Sequence, residues 1–139
     1  MIDKRPFHVH LPFSVKTYDV DFANIVHNMV YIRWLEDLRL QILDDHYPVA
    51  DMLADGIGPI LTKTEIDYKW PVRMGDVVNG NMWISNLGRV RWTVKAEMLV
   101  GDKLAAQATQ TGYFANMNTF RPIRIPKKIQ IHWDTYANM

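Results

Sequence analysis

The chain has 139 residues, enough for one domain with a hydrophobic core and too few for two domains of ordinary size. Apolar residues make up 48% and charged residues 22%, which argues against disorder, and a net charge of +1 gives no general attraction to nucleic acid or membranes. There is no cysteine, which excludes disulfides, thiolate zinc sites and a cysteine nucleophile.

The first predicted element is a strand from His8 to Tyr18, where apolar and polar residues alternate. Pro12 indicates an edge strand or a bulge, because proline has no backbone N–H to donate to the hydrogen bonds of a central strand. His8 and His10 share one face and have the spacing of a metal pair, but no third ligand lies nearby in the sequence. We therefore predict no metal site.

A long amphipathic helix is predicted from about Asn28 to Asp45, where the hydrophobic period changes to that of a helix. Arg33 lies four residues before Asp37, and Glu36 lies three before Arg39, so the outer face can form ion pairs. The apolar stripe consists of Tyr31, Trp34, Leu35, Leu38 and Ile42.

Four more strands are predicted after Pro59, where the period of two returns. The segment before it, from Pro48 to Gly58, is predicted to be a loop or a short second helical piece. Gly101-Asp102 is typical of a tight hairpin. The last strand is rich in small residues, which suggests that another element packs closely on it. The four strands cover 62–70, 77–85, 90–100 and 104–114.

The order of these elements predicts a single α+β domain over residues 1–139, with a core at about 8–126. One helix with a wide apolar stripe, followed by a meander of strands, is best buried by wrapping a five-stranded antiparallel sheet around that helix. Such a sheet has an open edge, which favours pairing with a second copy. The tail from Asn116 is predicted to be loop-like with one short extended piece, and its last dozen residues stay unassigned.

The connector between the first strand and the helix carries the candidate chemistry. Asp19 and Asp21 precede the helix start at Asn28, where unpaired backbone N–H groups carry partial positive charge. A carboxylate with convergent N–H donors can activate a nucleophile and stabilise an oxyanion. Asp21 equally suits a capping or turn role, so the residues alone leave both interpretations open. Asp19 is the more structural candidate of the two.

A spaced series of residues extends over most of the chain. In chain order it consists of Asp19-Val20-Asp21, Asn28, Tyr31, Glu36, Arg39, Glu65-Ile66-Asp67-Tyr68, Pro71, Gly75-Asp76 and Leu87-Gly88-Arg89. From about Phe13 to Pro126 this series resembles the signature of the hotdog-fold acyl-CoA thioesterases of the 4-hydroxybenzoyl-CoA thioesterase family. The usual glycine three residues after the second aspartate is Asn24 here, and asparagine is the next-best residue for a left-handed backbone.

The resemblance implies a hotdog fold, homodimers or homotetramers, and active sites at the dimer interface. It implies a hydrolase, an acyl-CoA thioesterase that needs no metal and no cofactor beyond the coenzyme A of its substrate. Asp21 would be the catalytic carboxylate, as general base or nucleophile. The backbone amide of Asn28 would bind the thioester carbonyl.

Four further residues are candidates for the site, each with a structural alternative. His27 would orient water or contact substrate, or it is a polar loop histidine. Tyr31 would line the acyl pocket, or it is core. Arg89 and Arg91 would bind the phosphates of coenzyme A, because arginine forks suit phosphate oxygens, or they are solvated strand residues.

Two other functions fit the same pattern. One is hydrolysis of acyl groups from acyl carrier protein, and the other is a non-catalytic hotdog protein that binds an acyl thioester. A hotdog dehydratase fits less well, because no aspartate and histidine stand at that family's spacing. The sequence lacks a signal peptide and any run of roughly 18 apolar residues, so we expect a cytoplasmic protein without membrane or nucleic-acid partners.

Overall fold

The computed structural model describes residues 5–137, which contain six strands and three α-helices. The strands are β1 (Val9–Ser14), β2 (Ile57–Tyr68), β3 (Val77–Leu87), β4 (Arg91–Val100), β5 (Lys103–Asn116) and β6 (Pro122–Ile123). The helices are α1 (Asn28–His46), α2 (Val49–Ala54) and α3 (Lys127–Ala137). A short 3-10 helix, Thr17–Asp19, follows β1.

The strands form one antiparallel sheet in the order β1-β3-β4-β5-β2, and β6 adds two residues to β5. This confirms the predicted five-stranded sheet and adds a sixth short strand. The first strand ends at Ser14 and not at Tyr18, which corrects the prediction from alternation. The chain turns there because the Asp19 Oδ2 accepts a hydrogen bond from the Lys16 amide at 2.8 Å, which closes the 3-10 turn.

Helix α1 packs its apolar stripe against the sheet, as predicted, and begins at the predicted residue. Its stripe is buried to a few per cent exposure, and Leu38 at its middle is fully buried. Gly80 on β3 permits this close approach, since a Cβ there would lie 3.2 Å from the Leu38 Cδ1. Each buried side chain of the stripe contributes about 1.5–3 kcal/mol, so this packing fixes the helix against the sheet. The buried residues of the stripe are Val30, Tyr31, Trp34, Leu35, Leu38 and Ile42.

One of the two predicted ion pairs on α1 forms. Arg39 pairs with Glu36, and its Nη1 also donates to the Gln110 Oε1 at 2.6 Å beneath the helix. Burial lowers the pKa of Arg39 from its usual value, and Glu36 partly offsets that effect. Arg33 and Asp37 form no ion pair, although both are exposed and four residues apart. The Arg33 guanidinium therefore remains available on the surface.

Helix α3 occupies the tail that the sequence left unassigned. Its Ile129 is buried, and the rings of His132 and His46 lie 4.8 Å apart where α3 meets the C-terminal end of α1. The buried Phe7 contacts the same His46 ring at 4.3 Å. This contact joins the two ends of the chain at the end of α1 farthest from Asn28.

We expect acidification to weaken the packing around His46. Burial first, and then the neighbouring His132, lower the pKa of His46 below its usual value of 6.5, while Asp45 acts in the opposite direction. At pH values between that lowered pKa and 6.5, the unfolded chain binds more protons than the folded chain. The free energy of unfolding should therefore fall as the pH drops through this range.

Urea unfolding at about pH 7.5 and about pH 5.5 measures this effect. The loss of stability on acidification should be smaller in His46→Gln, which cannot take up the proton. His10→Gln is a matched control, because His10 is exposed on β1 and its ring hydrogen-bonds to the neighbouring Asn79 side chain. An equal loss in the wild type and in His46→Gln would contradict the prediction.

Candidate active site

A closed loop from Val20 to Val26 carries Asp21 to the start of α1. Val20 and Val26 form an antiparallel bridge, and the Asp21 amide donates to the Ile25 carbonyl at 2.9 Å. The Asp21 Oδ1 accepts hydrogen bonds from the amides of Ala23 at 2.8 Å and Ile25 at 3.1 Å. Asp21 therefore holds the loop together, which is the turn role that the sequence allowed.

The loop depends on a left-handed residue, Asn24, whose φ is 60°. Asparagine tolerates this conformation, as predicted for the position where the signature that the chain resembles has glycine. Its Oδ1 also accepts the Met74 amide at 3.2 Å, and the Val26 amide donates to the Val72 carbonyl at 2.9 Å. The segment before β3 thus stabilises the loop through these two hydrogen bonds.

The second carboxylate oxygen of Asp21 remains free. Within residues 5–137, Oδ2 accepts no hydrogen bond and the carboxylate forms no ion pair. The side chain is half-buried. One oxygen is thus fixed by the loop, while the other can take a proton or attack an electrophile.

The loop that holds Asp21 leads directly into the first amides of α1. The Asp21 amide bonds to Ile25, and the helix begins three residues later at Asn28. His27 is the N-cap residue, and its amide donates to the Asp19 carbonyl at 2.9 Å, while its exposed side chain makes no capping bond. The Asn28 amide opens the helix and has no carbonyl acceptor within it, so it can bind an oxyanion.

Tyr31 is buried beneath the helix start and belongs to the core of a single chain. Its ring packs edge-on against Tyr68 at 5.0 Å, and burial together with Tyr68 raises the pKa of Tyr31 to about 12. The gap between Tyr31, Ile66 and Ala106 has a volume near 0 Å³. An acyl group therefore does not fit beneath Tyr31 in this arrangement.

Tyr68 is a further candidate for the site, and the sequence reasoning missed it. Tyr68 is the last residue of β2, and its hydroxyl donates to the Asn28 carbonyl at 3.5 Å. Its side chain therefore lies next to the start of α1. Tyr68 belongs to the motif Glu65-Ile66-Asp67-Tyr68, which pointed to the family, but the motif did not indicate that Tyr68 lies beside Asn28. The pairing of the strands places it there.

Arg89 and Arg91 lie far from the other candidates. β3 begins at Val77, opposite Ser14 near the Asp21 loop, and ends at Leu87 about 33 Å away at roughly 3.3 Å per residue. Both arginines are exposed beyond that end. The structure thus brings together Asp21, His27, Asn28 and Tyr31 but not the arginines. A phosphate-binding role for Arg89 and Arg91 beside Asp21 stays a prediction that requires a second chain.

No metal cluster is present within the described range. No group of three or more His, Asp or Glu residues there could hold a metal ion. His8 and His10 bond instead to Asn81 at 2.9 Å and Asn79 at 3.0 Å across the β1–β3 pair. The same range contains no helix that is long and apolar enough to span a membrane.

Comparison with known families identifies the family of the chain. Residues 15–132 match the model of the thioesterase-like superfamily. The chain belongs to this superfamily. Membership makes it a thioester hydrolase, which confirms the class of enzyme predicted from the motif.

Individual relatives of this thioesterase are distant in sequence. A curated protein of Aquifex aeolicus, provisionally named an esterase, is 25% identical over 116 residues, which are 83% of this chain and 89% of the relative. A DHNA-CoA thioesterase from Staphylococcus aureus superposes with a TM-score of 0.83 at 21% identity, covering 94% and 89% of the two chains. A hypothetical Staphylococcus aureus protein in complex with CoA gives a TM-score of 0.88 at 15% identity, covering 99% and 89%. The fold is therefore the predicted hotdog fold.

Proposed function

We propose that this thioesterase hydrolyses acyl-CoA to a free acid and coenzyme A. The supporting observation is the junction at α1, where Asp21 keeps one free carboxylate oxygen in the loop that leads to the unpaired Asn28 amide. Two distant relatives of the same fold point to this substrate class, since one is named a CoA thioesterase and the other is in complex with CoA.

In the proposed reaction Asp21 acts as general base or as nucleophile. As base, its Oδ2 takes a proton from water while the water oxygen attacks the thioester carbon. As nucleophile, Oδ2 attacks directly and forms an anhydride, which water then hydrolyses. In both routes the Asn28 amide donates to the oxyanion, the C–S bond breaks, and the thiolate of coenzyme A takes up a proton. His27 would orient the water or contact the acyl thioester.

The active unit in this proposal is a homodimer, alone or paired into a homotetramer. β2 is the longer edge strand, with twelve residues, and from Ile60 onward it contains no proline, whereas β1 has six residues and Pro12 near its middle. Antiparallel pairing of two β2 edges would place the arginine end of one sheet beside the Asp21 end of the other. That arrangement would supply Arg89 and Arg91, and an outer wall for the acyl group.

Thiol release from a panel of thioesters tests the proposal. The purified protein should release coenzyme A from at least one of an aromatic, a short-chain and a long-chain acyl-CoA, with kcat/KM on the order of 10⁴ M⁻¹s⁻¹ or more. Release only from acyl carrier protein would move the assignment to that substrate. Binding of acyl-CoA without release would assign the protein to the non-catalytic candidate. The cytoplasmic location stays a prediction from sequence.

A further inference from the structure

We propose that Lys16 and Arg33 bind the phosphates of coenzyme A in a groove beside the Asp21 loop. This inference rests on the proposed acyl-CoA substrate and names the part of the chain that holds its nucleotide end. The groove lies between residues 13–19 and the outer side of α1, and its volume is about 260 Å³.

The groove has an apolar floor and a charged rim. The rings of Phe13 and Trp34 stack at 5.3 Å to form the floor, together with Val30. Lys16 and Arg33 are exposed on opposite walls, one on the segment after β1 and one on α1. An apolar floor suits the methyl and methylene groups of a pantetheine arm, and two facing cations suit a pyrophosphate.

The position of the groove fits a ligand whose thioester lies at Asp21. Arg33 is five residues past Asn28, which is about 7.5 Å along the helix axis. Lys16 lies just before the turn that leads to Asp21, and its backbone is fixed because its amide donates to the Asp19 carboxylate at 2.8 Å. The groove is therefore lined by the two segments that flank the candidate site, the chain just before Asp21 and the part of α1 that follows Asn28.

Both cations are available to a ligand. Neither Lys16 nor Arg33 forms an ion pair with an acidic residue in the part of the chain that the structure describes. The Asp19 carboxylate is buried and bonded to the Lys16 amide. Asp37 also lines the groove, but it lies one helical turn beyond Arg33, at the end farthest from Asn28. The cations thus lie between the candidate site and the one exposed carboxylate of the groove.

This assignment competes with the earlier expectation for Arg89 and Arg91. Those two arginines lie at the opposite end of the sheet and reach Asp21 only if a second copy pairs along β2. Lys16 and Arg33 lie within one chain on the two segments that flank the Asp21 loop.

The test compares two substrates with the same acyl group. Acyl-CoA carries the nucleotide and its phosphates, whereas acyl-pantetheine carries neither. The double variant Lys16→Ala/Arg33→Ala should raise KM for acyl-CoA about tenfold or more, because two charge-assisted hydrogen bonds are lost. Its kcat for acyl-CoA and both constants for acyl-pantetheine should stay near the wild-type values. Asp37→Asn should lower KM for acyl-CoA, since it removes the repelling carboxylate.

Two further double variants control the experiment. Arg124→Ala/Lys127→Ala removes the same charge from exposed residues outside the groove. It should leave KM and kcat unchanged for both substrates. Arg89→Ala/Arg91→Ala tests the competing site. The inference is overturned if the groove variant leaves KM for acyl-CoA unchanged or raises KM for both substrates equally. It is also overturned if only the Arg89/Arg91 variant raises KM for acyl-CoA.

A calorimetric titration with coenzyme A separates this inference from the proposed reaction. A protein that hydrolyses no thioester would end the proposed function. The groove inference would still hold if the Kd for coenzyme A rose about tenfold in Lys16→Ala/Arg33→Ala and stayed unchanged in the Arg124/Lys127 control. Equal Kd values in all three proteins would overturn it.

Discussion

Replacing Asp21 with asparagine is expected to lower kcat about a thousandfold, because the free carboxylate oxygen becomes an amide that can neither take a proton nor attack a thioester. The change leaves the loop intact. Asparagine keeps the Oδ1 acceptor, so the amides of Ala23 and Ile25 retain the partner that they have in the structure. The substitution therefore separates the chemical role of Asp21 from its turn role.

Thiol release and thermal unfolding, measured on the same samples, check this expectation. Asp21→Asn should melt within a few degrees of the wild type. Asp21→Ala is the informative comparison, since it loses the loop acceptor as well and should cost about 1 kcal/mol of stability. A folded Asp21→Asn protein with wild-type turnover would leave Asp21 as a turn residue only. The hydrolytic mechanism would then need another group.

The long helix and the central strands were predictable because their signals are local and repeated. The stripe at Tyr31, Leu35, Leu38 and Ile42 has one period throughout, and each of these positions is buried in the fold. Strands β3 to β5 show the same regularity at period two. Helix α3 was missed although a signal existed, since Ile129, Trp133 and Tyr136 are spaced by four and three and are at least partly buried.

The end of the first strand was mispredicted because one polar contact overrode the pattern. Alternation continues in the sequence to Tyr18, but the Asp19 carboxylate binds the Lys16 amide and closes a turn. Tyr18 is consequently 71% exposed, whereas an alternating strand would have paired it with a neighbour. Short-range bonds of aspartate to the backbone compete with strand ladders in this way.

The candidate site was predictable only in its local part. Asp21, His27 and Asn28 lie within eight positions of one another, so a turn before a helix brings them together. Tyr68 and Arg89 depend on which strands pair and in which register, and no local pattern specifies that. The antiparallel pairing of β1 with β3 is what places Arg89 at the distant end of the sheet.

Replacing Gly112 with alanine is expected to lower the free energy of unfolding by about 3 kcal/mol, a large share of the roughly 5–15 kcal/mol typical of a domain. Gly112 lies on β5 between β4 and β2, opposite Trp92 and Leu61. A Cβ there would lie 2.1 Å from the Ile60 carbonyl oxygen and 2.3 Å from the Trp92 Cζ2. The strain is steric and does not come from an unusual backbone conformation.

Neither neighbour of Gly112 can move aside at low cost. The Ile60 carbonyl is backbone of the edge strand β2, and the buried Trp92 ring is held by its Nε1 bond to the Tyr113 carbonyl at 3.2 Å. Urea unfolding measures the loss, and Gly88→Ala is the matched control, since the nearest atom to its Cβ would be 3.6 Å away. If Gly112→Ala unfolded at the wild-type urea concentration, β2 could not lie as close to Trp92 as the structure has it. The edge offered to a second copy, and the position of Tyr68 beside Asn28, would then need revision as well.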